Sequence, residues 1–123
     1  MSCDEIRLAF AGVPDCIETD EGTRLTTHCL YPSFDPVHVY VAGFGSGYKV
    51  HDGGGAVRSA WDHGRELSLI RKMLSRQAAI YRLGMIEDAL VAEVSSLDWV
   101  AAAISSVANA SASAAHAAVE RSE

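Results

Sequence analysis

No apolar run in these 123 residues approaches the roughly 20 that cross a bilayer, so no membrane partner is expected. Positive charge is also short. The net charge is −6, whereas phosphate contacts require a surplus of Lys and Arg, so direct nucleic-acid binding is not expected either. Cysteine is sparse: Cys3, Cys16 and Cys29 are odd in number, widely spaced and contain no Cys-x-x-Cys pair. A small secreted domain would carry a denser, even set, so three unbridged thiols are expected. Asp4, Glu5 and Arg7 interrupt the first residues before an apolar stretch develops, which argues against a secretory signal and for a cytoplasmic protein. Aromatic residues make up only 7% of the chain. Trp61, Trp99 and Tyr40 are therefore expected in or beside the core, and any one left exposed would mark a contact surface.

Catalytic and ligand-binding signatures are missing too. The glycine-rich string His51-Asp52-Gly53-Gly54-Gly55 lacks the Gly-Lys-Ser/Thr ending of a phosphate loop, and its spacing does not fit a dinucleotide fingerprint. Gly45-Ser46-Gly47 lacks the flanking glycines of a nucleophile elbow. His28 and Cys29 are adjacent on an expected strand and point to opposite faces, so with Cys16 and His38 they do not form a zinc set. No metal, cofactor or catalytic residue is expected. Asp52 is read as a strand-end residue bonded to its own turn.

What is present suits one α+β domain spanning residues 1–123. Apolar residues make up 49%, enough for a core. A short helix is expected over residues 4–11, capped by Ser2 or Asp4, with contacts from Ile6, Leu8, Ala9 and Phe10 and a stop at Pro14. Residues 16–19 and 23–30 read as a hairpin turned by Asp20-Glu21-Gly22. After the Pro32 to Pro36 loop, Val37, Val39 and Val41 alternate with His38 and Tyr40, the clearest strand in the chain. Tyr48 to His51 returns beside it, for an antiparallel sheet of about four strands. Two to four helices then pack on the sheet. Residues 57–63 read as one, closed by Gly64. Residues 65–83 form a second, striped by Leu67, Ile70, Leu74, Ala78 and Tyr81 and ended by Gly84. Residues 85–94 read as a small hairpin. Ser95-Ser96-Leu97-Asp98 has the form of a capping box opening a long Ala-rich helix. That helix's end, 109–123, is expected either to lie on its own domain or to close a homodimer.

Charge is segregated along the chain. Residues 1–57, 58–82 and 83–123 sum to −5, +4 and −5. Arg65, Arg71, Lys72, Arg76 and Arg82 of the basic segment are expected on a solvated helix face paired with nearby acids.

The order of an Asp20-Glu21-Gly22 turn, a Pro-containing loop, an alternating strand over 35–41 and a Gly-Tyr-x-Val-x-Asp-x-Gly stretch from Gly47 to Gly54 is familiar. With the helical segment, Leu90-Val91 and a final helix, it resembles the small bacterial and prophage domains of the domain-of-unknown-function family eighteen-twenty-eight, over most of residues 16–110. His51-Asp52-Gly53 stands where that pattern has an Asp-Gly pair. The resemblance implies a phage or mobile-element setting inside a bacterial host cell and carries no catalytic residue. By analogy with small acidic proteins of that setting, the expected function is a protein-binding inhibitor of host defence, anti-CRISPR-like, that covers a host protein or nucleic-acid-binding complex. Its carboxylates would stand in for phosphates, and the expected contact residues are Glu18, Asp20, Glu21, Asp35, Glu87 and Asp88. The alternatives are a small hydrolase or ligand-binding domain centred on the turn from His51 to Gly55, and a structural homodimer.

Overall fold

Val37, Val39 and Val41 are fully buried in strand β3 (Pro36–Phe44), with His38 and Tyr40 on the opposite face, as their alternation predicts. The computed structural model describes residues 2–9 and 15–120. The hairpin β1 (Asp15–Thr19) and β2 (Gly22–Leu30) flanks β3 on one side, and β4 (Gly47–His51) lies on the other. The later hairpin, β5 (Gly84–Ile86) and β6 (Ala89–Val94), does not stand apart. Strand β6 pairs antiparallel with β4, which extends the expected four strands to six in the order β1-β2-β3-β4-β6-β5. Val50 and Ala92, directly opposite each other, continue the apolar face across that junction.

Helix α4 (Val100–Glu120) lies on the valine face, against β2, β3, β4 and β6. Helices α2 (Gly55–Asp62) and α3 (Leu67–Tyr81) pack chiefly on α4. The small side chains of α4 explain how close it comes: Ala108, Ala110, Ser111, Ala114, Ala115 and Ala118 are all at most 2% exposed. Up to Ala118, the buried positions of this Ala-rich segment pack within the chain itself. Its entry differs from expectation, because no side chain caps it; a 3-10 turn over Leu97–Trp99 leads in instead. Helix α3 ends earlier than Gly84, at Arg82, which takes the left-handed conformation (φ 57°), while Gly84 opens β5.

Helix α1 (Cys3–Ala9) begins with a reciprocal cap: Glu5 N–H donates to Ser2 Oγ (3.2 Å) and Ser2 N–H to Glu5 Oε1 (3.3 Å). The contacts expected of Leu8, Ala9 and Phe10 and the stop at Pro14 lie outside the described residues and side chains. Seven residues are well short of the ~12–15 that hold an isolated helix in water. The position of α1 depends on Ile6, which is fully buried, and on a disulfide from Cys3 to Cys16 in β1. That bond corrects the expectation of three thiols; only Cys29 is free, half-buried, its Sγ 3.5 Å from Asn109 Oδ1. No helix among the described residues is long and apolar enough to cross a membrane.

Candidate functional site

The β2–β3 loop, the turn from β4 into α2 and the β5–β6 turn all leave the antiparallel sheet at the same end. The string that looks most chemical lies here, and its carboxylate is enclosed. Asp52 is 1% exposed. Its Oδ1 accepts the N–H groups of Gly54 and Leu90, each at 3.0 Å, and its Oδ2 accepts the Ser111 hydroxyl at 2.7 Å. Ser111 in turn shares a hydrogen bond of 2.8 Å with the Tyr31 hydroxyl. This chain ties β4, β6, α4 and the β2–β3 loop together across sequence separations of 38, 59 and 80 residues. Asp52 does bond its own turn, as the sequence suggests, but most of its acceptor capacity serves remote elements. Burial holds the Tyr31 phenol protonated, with its pKa pushed up by desolvation; the Ser111 hydrogen bond opposes that shift and the Asp52 charge adds to it.

The glycines follow from the same packing. A Cβ on Gly55 would run into the Tyr31 hydroxyl. At Gly53, with φ +61°, a Cβ would meet the Tyr40 ring at 2.6 Å. Tyr40 itself is half-buried and stacks on His51, ring centroids 5.1 Å apart and planes 12° apart. The His51 Nδ1 accepts the Gly53 N–H at 3.0 Å, so that nitrogen too is committed to the turn.

Above Tyr31 opens a cleft of about 340 Å³, lined by Asp35, His38, Arg58, Ser59, Asp62 and His63 among others. Its histidines are tethered: His38 Nδ1 lies 3.1 Å from Thr26 Oγ1, and His63 Nδ1 donates to the Ser59 carbonyl at 2.9 Å. Burial, and then the Arg24 and Arg58 charges, lower the His38 pKa from its ordinary value of 6.5, against the opposing pull of Asp15 and Asp35. Arg58 spends one nitrogen on the Gly53 carbonyl, at 2.7 Å. No three His, Cys, Asp or Glu side chains converge on a metal position among the described residues.

Between Ser33 and Asp35, which both line this cleft, stands a residue in an unusual conformation. Tyr31 N–H donates to Asp35 O and Phe34 N–H to Tyr31 O, each at 2.9 Å, so residues 32–34 make a tight hairpin loop. The last position of such a loop is left-handed and favours glycine. Phe34 occupies it, with φ 69°, and is 81% exposed. A left-handed L-residue costs roughly 1–2 kcal/mol, and a ring left in water forgoes about 2 kcal/mol of burial. Nothing in the proline-flanked sequence Ser33-Phe34-Asp35 announces this; a bulky residue at the third loop position of a recognised hairpin would have been the signal.

The six acids expected to bind a partner are divided between the two ends of the sheet. Asp35, Glu87 and Asp88 sit at the cleft end, and Asp20 and Glu21 turn β1 into β2 at the other, with Glu18 exposed on β1. Glu21 and Glu87 reach from those opposite ends into one groove of about 310 Å³ over Lys49 and His51. Asp88 is already paired: Arg71 of α3 holds it with Nε at 2.9 Å and Nη2 at 3.0 Å, and this hydrogen bonding lowers the Asp88 pKa. Glu87 and Asp88 carry the positive φ values, 50° and 67°, that a two-residue hairpin turn requires. Trp61 and Trp99, expected near the core, are 60% and 61% exposed. Trp61 adjoins Asp62 of the cleft, and Trp99 borders a groove of about 400 Å³ that also includes Tyr81 and Leu83. No family model, curated protein or solved structure matches the chain.

Proposed function

We propose that this chain is a protein-binding module without catalytic chemistry of its own, which occupies a surface of a larger partner by inserting Phe34 into it. The observation that carries the reading is the double penalty at Phe34, a strained backbone and an exposed ring, which the isolated fold does not repay. Trp61, on the helix that forms the cleft's other wall, supplies a second exposed aromatic residue of the type that dominates contact energies. Asp35, next to Phe34, supplies charge. The net charge of −6 favours a basic partner surface, and an inhibitor that covers a nucleic-acid channel of a host defence complex, anti-CRISPR-like and acting in the bacterial cytoplasm, is the finer form of the proposal. The enclosure of Asp52 favours binding over hydrolysis, since a substrate would have to displace three hydrogen bonds to reach the carboxylate.

The test compares affinity capture from the organism that encodes the protein, using wild type, Phe34→Gly, and Phe44→Ser as a control at the opposite end of the sheet. A partner retained by wild type and Phe44→Ser but lost from Phe34→Gly, with the Phe34→Gly protein melting no lower than wild type, is the expected result. An identical set of captured proteins for all three would refute it.

A further inference from the structure

We propose that the Cys3–Cys16 disulfide is a reducible latch on α1. Helix α4 covers the apolar sheet face over β2, β3, β4 and β6, whereas the β1 edge is packed by α1. On that edge Cys16 stands opposite Leu25, a core residue 2% exposed, and Ile6 of α1 fills the adjoining core. The helix is too short to hold itself, and among its contacts the buried Ile6 side chain and the covalent bond to β1 help keep it in place. Cys3 and Cys16 are both only half-buried, so the bond is open to a reductant from the solvent side. A dithiol reductant supplies the chemistry. Its thiolate attacks one sulfur of the bond and releases the other as a thiolate, and its second thiol then resolves the mixed disulfide. Two electrons and two protons pass to the protein, leaving two cysteine thiols and an oxidised dithiol. With the tether gone, α1 undocks, Ile6 leaves the core and an apolar seat beside Leu25 and β1 is uncovered. Strands β3, β4 and β6, locked by the Asp52 chain and α4, stay closed. The latch is independent of the role given to Phe34.

The full-length protein, purified without reductant, tests this by hydrogen exchange before and after dithiothreitol. Chain-closure entropy for a loop of this size sets the scale: α1 amides should exchange roughly 100-fold faster after reduction, while the amides of Val39 and Val41 keep their protection. A Cys3→Ser/Cys16→Ser variant should match the reduced protein with or without dithiothreitol. Unchanged α1 exchange would overturn the latch, as would equal loosening of α1 and β3, which marks a general staple. Alkylation of both cysteines in the unreduced protein would also overturn it, because the bond would then not form.

Discussion

Two features at one end of the sheet obey opposite rules. The turn at 51–55 contains an aspartate and three glycines, the composition of a ligand loop, yet each part serves the fold: Asp52 is enclosed, and Gly53 and Gly55 make room for Tyr40 and Tyr31. The loop at 32–34 is made of unremarkable residues, yet it holds Phe34 in a conformation the fold would rather give to glycine. Residue type is therefore a poor guide to function here. The better guide is whether a group's local costs are repaid inside the molecule. For Asp52 they are, three times over; for Phe34 they are not.

Substitutions sharpen that contrast, and the largest effect belongs to Asp52. Asp52→Ala strands the Leu90 and Gly54 N–H groups and leaves the Ser111 hydroxyl with Tyr31 alone, and should cost about 3 kcal/mol, a fall in Tm of roughly 10–15 °C by calorimetry. Next comes Gly55→Ala, which drives a methyl into the Tyr31 hydroxyl and should cost about 2 kcal/mol in chemical denaturation. Combining it with Tyr31→Phe should cost less than the two single losses together, because removing the hydroxyl removes the clash.

Phe34→Gly should move the other way, raising Tm by about 2–4 °C as the left-handed strain is relieved, partly offset by the added freedom of glycine in the unfolded chain. A fall in Tm would place Phe34 with Asp52, among the residues that hold the fold. The smallest effect concerns pH. His38 has its pKa lowered in the folded protein, so below about 6.5 the unfolded chain binds more protons and stability declines as pH falls. Between pH 7.5 and 5.5, His38→Gln should show a shallower decline in Tm than wild type.

The extent to which the sequence reveals this molecule follows the range of the interactions involved. Strand β3 is legible because its valines alternate within five residues, and α3 and α4 because their apolar stripes repeat within a turn. The β5–β6 hairpin is legible as a hairpin, but its seat beside β4 is not, since pairing Val50 with Ala92 is a tertiary choice. The Asp52 chain is invisible for the same reason: Ser111 reads as one small residue in an alanine stripe, and Leu90 as a strand apolar. Three cysteines permit three pairings, and spacing does not select Cys3 with Cys16. The Ser-Ser-Leu-Asp string misleads because a capping box also needs the first turn to be α-helical, and Leu97–Trp99 is tighter. Trp61 and Trp99 mislead because the core takes its volume from Val, Leu, Ile and Ala and leaves both indoles outside.

The claim that the 51–55 turn holds the fold together is tested most directly by the Leu90 amide, whose hydrogen bonds to the Asp52 carboxylate. Native-state hydrogen exchange should find it opening only with global unfolding, at a rate unmoved by millimolar Zn²⁺, Mg²⁺ or inorganic phosphate. Rapid exchange through a local opening, or a rate that responds to any of these ions, would mean that Asp52 is available for chemistry.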